Sequence, residues 1–349
     1  MNVSHFLYIL VLWGLSPKDI VPNDSTALKQ TYRNPVFEPV LADPSVFQDP
    51  KSTLFYAYGT EDNWADGKGK RLVPILESKD MVDWTYVGEA FQTKPSWKQQ
   101  GGIWAPDINY VDGQYFLYYS YSTWGDKNPG VGLAIANDPK GPFLDQGKLF
   151  SSEEIDVPNS IDPFYYEENG KKYLFWGSFS HLKTQGTYAV ELTSDGKKVK
   201  DFSHKTKIAA GDFEAVMIHK RKGYYYFFGS KGSCCDGVNS SYHVMVGRSK
   251  KLLGPYLDRD GHSILERGNG TLLIKGSEKY VGPGHNSSIV SDKNGNDWIL
   301  YHAIDTGNGK LQNGTSRRVL MLDNLLWKNG WPSIKDAIPS LQNTKKPVF

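Results

Sequence analysis

Five times along this chain a short segment bearing an acid or a histidine is followed by an aromatic-rich hairpin pattern. The segments are Ala42-Asp43-Pro44-Ser45, Ala105-Pro106-Asp107-Ile108, Ile161-Asp162-Pro163-Phe164, Phe213-Glu214-Ala215-Val216 and Pro283-Gly284-His285-Asn286. Behind them run Leu54 to Gly59, Tyr115 to Ser120, Tyr173 to Ser178, Tyr224 to Ser230 and Trp298 to His302, each apolar or aromatic. The anchors Asp43, Asp107, Asp162, Glu214 and His285 stand 64, 55, 52 and 71 residues apart. A period of roughly 50 to 70 residues, with several short strands in each unit, marks a propeller blade rather than a solenoid repeat. The sequence therefore predicts an all-β, five-bladed β-propeller with a central cleft, on whose axis the polar anchors converge.

The strands follow from local chemistry. In the second unit Asp107 to Val111 alternates, Asp112-Gly113 is a strong hairpin turn, and Gln114 to Ser120 returns. Val131 to Ala136 makes a third strand, and Gly141-Pro142-Phe143 opens the outer edge. The fourth unit repeats that order through Ala215 to His219, Tyr224 to Phe228, Tyr242 to Arg248 and Gly254-Pro255-Tyr256. The third carries the turn Glu168-Asn169-Gly170, and in the first Ser78 to Trp84 replaces the Gly-Pro edge. Residues 32–349 are read as one propeller domain behind a leader and polar linker at 1–31.

A net charge of +2 gives no electrostatic footprint for nucleic acid, so an uncharged ligand is the natural partner. Phe6 to Leu15 is an apolar run of signal-peptide length, too short to span a bilayer, and polar residues follow it. It points to a secreted or periplasmic protein. Against that stand the lack of Lys or Arg in Met1 to His5 and of a small-x-small cleavage site, which leave a buried segment as the alternative. No other stretch would cross a membrane. The two cysteines, Cys234 and Cys235, are adjacent, closer than disulfides usually allow, and are expected as two small buried thiols. On that reading the fold does not depend on disulfides.

The acids differ in what they need. Asp before Pro initiates turns, so Asp43 and Asp162 taken alone read as structural, and Asp107 would satisfy backbone amides. Glu214 lies between Phe213 and Ala215-Val216-Met217-Ile218, where a carboxylate has no cheap structural role. Such a setting raises its pKa and suits a proton donor. Two carboxylates at the mouth of an axis could flank a glycosidic bond, one as acid and one as base or nucleophile. The histidine at the fifth anchor is either a ligand or a core residue.

Taken in order, Ala42-Asp43-Pro44-Ser45-Val46, Trp104-Ala105-Pro106-Asp107, Asn159-Ser160-Ile161-Asp162-Pro163, Glu214-Ala215, Gly282 to Asn286 and Asp323 to Pro332 resemble glycoside hydrolase family 43. The likeness runs from about Asn34 to Pro332, and Ser233 to Tyr242 is most similar to the family's endo-acting α-1,5-L-arabinanases. The resemblance implies hydrolysis of arabinan with inversion at the anomeric carbon. Carried over by motif, Asp43 would be the general base, Glu214 the general acid, and Asp162 the group that orients the acid and keeps its pKa high. Trp104 would stack on a sugar, with Asn159 and Ser178 as hydrogen-bonding candidates at the same subsite. His285 matches the histidine that helps to hold a metal, usually calcium, largely through waters; calcium prefers oxygen ligands. Asp107 is left as a structural partner beside Trp104.

One departure is Ala42, where arabinanases commonly place histidine. Members with alanine there include exo-acting arabinofuranosidases and xylosidases, so exo action is the alternative within the family. Asp62 to Arg71 and Asn308 to Arg318 are candidate blocking loops. A propeller that binds carbohydrate without cleaving it, and a scaffold of the WD-repeat kind, are the alternatives of other classes. Three retained carboxylates argue against the first, and missing repeat dipeptides against the second. The expected working form is a monomer.

Overall fold

Dipeptides with glycine in second place and left-handed backbone at both residues set the hairpins. Asp112-Gly113 (φ 48° and 90°), Asn169-Gly170 (52° and 72°), Lys222-Gly223 (46° and 74°) and Asn329-Gly330 (53° and 74°) each join two directly paired strands. Positive φ at both central residues is the turn geometry whose twist matches paired strands. The computed structural model describes residue 1 and residues 30–179 and 184–349. The apolar run Phe6 to Leu15 lies outside the described residues.

Each repeat unit is one antiparallel sheet of four strands in sequence order from the axis outward. Blade I comprises Ser45–Gln48, Phe55–Tyr58, Pro74–Ser78 and Trp84–Glu89. Blade II comprises Gly102–Val111, Gln114–Ser122, Gly130–Ala136 and Leu144–Ser151. Blade III comprises Phe164–Glu168, Lys171–Trp176, Gly186–Glu191 and Thr206–Ala210. Blade IV comprises Glu214–Arg221, Tyr224–Lys231, His243–Ser249 and Thr271–Ile274. Blade V comprises Tyr280–Gly284, Asp297–Asp305, Arg318–Lys328 and Trp331–Ser333, with Val290–Ser291 as an extra pairing. The expected five-bladed, all-β propeller is thus what the chain forms.

The second strands run through the middle of the blades and are buried almost throughout, so their aromatic residues fill the gaps between sheets. Tyr118 of blade II stacks on Tyr165 of blade III at 5.5 Å, and Tyr226 of blade IV meets Trp327 of blade V edge-on at 4.9 Å. Such rings supply most of the buried apolar area that holds neighbouring blades together. The ring is closed by residues ahead of blade I. Val36 donates to Leu320 O and Leu320 to Phe37 O, while Tyr32 and Asn34 both donate to Leu322 O. Thr31–Tyr32 pairs with Thr344–Lys345. Among the described residues no helix is long and apolar enough to cross a membrane.

Candidate active site

Each of the five inner strands carries one repeated backbone device, within it or no more than two residues from its end. At Asp43, Ala105, Asp162, Ala215 and His285 the chain is left-handed, with φ between 42° and 59°. That conformation costs a non-glycine residue about 1–2 kcal/mol, so something must hold it in place. Four of the five N–H groups donate to a side chain of the preceding blade: Ala105 to Thr60 Oγ1, Asp162 to Ser120 Oγ, His285 to Ser230 Oγ and Asp43 to His302 Nδ1. The acceptors sit in or just beyond the second strand of each blade. The pattern breaks once. Ser178 occupies the corresponding place in blade III, but its hydroxyl donates to Glu214 Oε2 at 2.7 Å, and Ala215 N–H turns to Asp162 Oδ2 at 3.1 Å. Asp162 thereby takes over the hydroxyl's duty and leaves Ser178 to hold Glu214.

This register corrects the sequence alignment. Asp43, Asp162 and His285 are the left-handed residues of their blades, whereas alanines hold that place in blades II and IV. Glu214 lies one residue before it and Asp107 two residues after, so the five anchors are not equivalent positions.

Asp43, Trp104, Asn159, Asp162, Ser178, Glu214 and His285 all border one groove of about 1530 Å³ at the propeller's face. Asp43 accepts from Thr60 Oγ1 at 2.6 Å and from Arg318 Nη1 at 3.0 and 3.1 Å, with His285 Nδ1 at 3.3 Å. Burial alone would raise its pKa, but Arg318 and His285 outweigh this and hold the carboxyl well below 3.8. Glu214 goes the other way. Burial raises it, the Asp43 charge adds to that, and the Ser178 bond offsets only part. Burial pushes Asp162 up to about 7, with His285 opposing and the Glu214 and Asp43 charges reinforcing. One groove therefore holds one carboxyl that its neighbours hold ionised and one whose ionisation burial disfavours.

Three contributors went unmarked in the sequence. Arg318 and Thr60 bind Asp43, and His302 fixes its backbone; burial pushes His302 down to about 3, so it is neutral and its Nδ1 accepts. Its only local signal was its place at the end of the fifth aromatic run, where three other blades have serine. Tyr242 stacks on His302 at 5.7 Å, and Gly284 explains part of the Gly-Pro-Gly-His motif, since a Cβ there would lie 2.1 Å from the Tyr242 ring.

Other expectations change. Ser178 is 2% exposed and its proton is committed to Glu214, so it holds that carboxyl instead of meeting a sugar as a free donor. Asn159 lines the groove, but its amide donates to Phe179 O at 3.1 Å. Asp107 does more than flank Trp104: it accepts from Tyr165 N–H at 2.7 Å, Asn109 Nδ2 at 2.7 Å and Ser45 Oγ at 3.4 Å, linking blades I, II and III. The cysteines are not buried thiols. They are half-buried and joined by a disulfide with S–S 2.08 Å at a Cα separation of 3.8 Å. Adjacency makes such a bond uncommon without forbidding it, and a fixed loop keeps the two sulfurs together.

Below the groove a small axial chamber is bordered by Ser45, Asp107, Asp162, His285, Asn286 and Ser287. Asn286 Oδ1 is buried there without a hydrogen-bond partner, and burial raises both Asp107 and Asp162 to about 7. An orphaned amide oxygen beside two carboxyls that burial keeps from ionising is a donor set fitted to a hard cation such as calcium.

Residues 32–332 match the family Glycosyl hydrolases family 43. The extracellular endo-α-(1→5)-L-arabinanase 1 of Bacillus subtilis (strain 168) is 35% identical over 308 residues, covering 84% of this chain and 87% of that protein. The extracellular exo-α-(1→5)-L-arabinofuranosidase of Cellvibrio japonicus is 34% identical, over 76% of this chain and 80% of that one. The α-L-arabinanase of Cellvibrio cellulosa in complex with arabinohexaose superposes with a TM-score of 0.73 at 30% identity, covering 86% and 96% of the two chains. With the fold and most of its length shared with these enzymes, the chain belongs to glycosyl hydrolases family 43 and is a glycosidase.

Proposed function

We propose that this protein is an exported, monomeric hydrolase of α-1,5-linked L-arabinan that acts with inversion of the anomeric carbon. The observation that carries the reading is the opposite direction in which their surroundings push the pKa values of Asp43 and Glu214 within one groove. Asp43, ionised, takes a proton from a water whose oxygen attacks the anomeric carbon. Glu214, protonated, gives its proton to the departing sugar oxygen as the glycosidic bond breaks. The products are a sugar of inverted configuration and a free hydroxyl, and solvent returns each carboxyl to its starting state. Asp162 fixes the turn that carries Glu214 and, in its ionised form, would resist ionisation of the acid. Trp104 provides the aromatic platform for a sugar face. Export is supported by the extracellular relatives and by a disulfide, a bond that persists in oxidising compartments.

Asp107, Asp162, Asn286 and, through water, His285 would hold a calcium ion in the axial chamber. When bound it supplies positive charge that offsets the crowded carboxylates.

Endo action is the first reading, from the similarity of Ser233 to Tyr242 and from the arabinanase relatives. One observation favours exo action. The two loops suspected of blocking the groove meet, with Asn313 Nδ2 donating to Asn63 O at 3.1 Å, and both contribute residues to its border. Incubation with linear arabinan and with an aryl α-L-arabinofuranoside separates the readings. Mixed oligomers show endo action, arabinose alone shows exo action, and inactivity on both removes the substrate assignment.

A further inference from the structure

The Cys234–Cys235 disulfide has no part in the acid–base chemistry, and it does little for stability. A cross-link stabilises chiefly by restricting the unfolded chain, and bridging neighbours encloses almost no chain. What it does create is a rigid apolar plate, two sulfurs and two methylenes, at the border of the groove. Its surroundings on that wall are polar or charged: Asp212, Lys231, Ser233, Asp236 and Arg267.

The plate is held in place from several sides. Ser233 N–H donates to Ser241 Oγ at 3.0 Å, Ser240 Oγ to Ser233 O at 2.6 Å, and Ser316 Oγ of blade V to Cys235 O at 3.5 Å. In a ring of five blades, the junction of blades IV and V lies across the axis from blade II. Blade II presents Trp104 there, with Trp124, 78% exposed, packed on it at 5.7 Å. Glu214 pairs in register with Ser230, so Cys234 lies within about 13 Å of that pairing at ~3.3 Å per residue. That reach is a sugar residue or two from the bond to be cleaved.

Resting on the arabinan reading, we infer that the Cys234–Cys235 disulfide is a sugar-contacting wall. It packs on the C–H groups and C5 methylene of an arabinofuranose residue beyond the scissile bond, opposite the Trp104–Trp124 pair. The ring C–H groups and the C5 methylene of an arabinofuranose residue form apolar patches between its hydroxyls, and these gain by leaving water against an apolar surface that offers no competing donor. The plate then sets affinity for oligomers long enough to reach it and leaves a single-sugar substrate unaffected.

The test compares the native enzyme, the Cys234→Ala/Cys235→Ala double variant and native enzyme reduced with a phosphine, on arabinohexaose and on an aryl α-L-arabinofuranoside. The plate predicts a KM for arabinohexaose raised about fivefold, the size expected from losing ~40 Å² of apolar contact, at unchanged kcat. Hydrolysis of the aryl substrate stays as it was. Ser240→Ala loosens the same loop without altering the plate and keeps the native KM. Unchanged KM in both disulfide-free forms overturns the inference. So does an equal rise with Ser240→Ala, which would make the disulfide a loop brace. A native enzyme that neither binds nor cleaves arabinohexaose overturns the arabinan reading itself, and the wall with it.

Discussion

The turns at Asp43 and Glu214 belong to the same repeated device, yet they handle their carboxyls in opposite ways. At blade I the carboxylate is itself the left-handed residue, is reached by Arg318, Thr60 and His285, and is held ionised. At blade IV an alanine takes the left-handed place and the carboxyl moves back one residue, where its bonded partner is the neutral hydroxyl of Ser178. The Tyr242 hydroxyl beside it is buried without a well-formed hydrogen bond. A one-residue shift in a symmetric scaffold thus separates a carboxyl held ionised from one whose pKa is raised, because cations converge on one position and not on the other. A repeat supplies positions, and departures from the repeat supply pKa differences.

The largest expected effect breaks the comparison at its two ends. Asp43→Asn and Glu214→Gln should each lower kcat on arabinan by about 10³- to 10⁴-fold without unfolding the chain. On an aryl substrate whose leaving group needs no proton, Glu214→Gln should recover much of its rate and Asp43→Asn none. Recovery of both, or of neither, would erase the distinction between acid and base.

Next comes the charge at blade I. Arg318→Leu removes the largest influence that lowers the Asp43 pKa, so the acid limb of the kcat/KM profile should move to higher pH, with activity at pH 5 down about ten- to a hundredfold. An unmoved acid limb would mean that another group controls it. The matching change at blade IV is milder. Ser178→Ala removes a bond that lowers the Glu214 pKa, so the basic limb should also move to higher pH, with kcat within about tenfold of native.

The broken ring makes a prediction about stability. Ser120→Ala leaves the buried Asp162 N–H without its acceptor and should cost about 1–3 kcal/mol. Ser178→Ala strands no N–H and should cost less, since Ala215 N–H already bonds to Asp162. Equal losses in denaturant midpoint would contradict the assigned exchange of partners. The smallest effect concerns the axial chamber. Asp107 and Asp162, lifted from 3.8 to about 7, bind protons more tightly folded than unfolded. Their stabilisation is complete below pH 3.8 and lost as pH rises through 7. Calcium should therefore raise the Tm of chelator-treated protein at pH 7.5, and raise it less in Asn286→Ala; no shift would remove the ion from the chamber.

Much of this was legible because it is local. Alternating aromatic runs and Asp-Gly or Asn-Gly turns announce hairpins, and the equivalence of Gly141-Pro142-Phe143 with Gly254-Pro255-Tyr256 extends to a cis peptide in both. The residues that tune the site were less visible. Arg318 meets Asp43 across 275 positions and His302 across 259, contacts that only ring closure creates. The alignment of anchors slipped by one residue at Glu214 and by two at Asp107, because a left-handed alanine leaves no mark in a sequence. Cys234 and Cys235 were misjudged since spacing speaks to the commonness of a bond, while the loop that holds the sulfurs is set by Ser233, Ser240 and Ser241 from outside the pair.

The most direct measurement of an acid and a base working through water, rather than a nucleophile working through a covalent intermediate, is the anomer that appears first. Proton NMR of linear α-1,5-arabinan in the opening minutes of hydrolysis should show newly formed reducing ends in the β configuration, relaxing later to the equilibrium mixture. Reducing ends that appear first as α would contradict Asp43 as a base and make it a nucleophile.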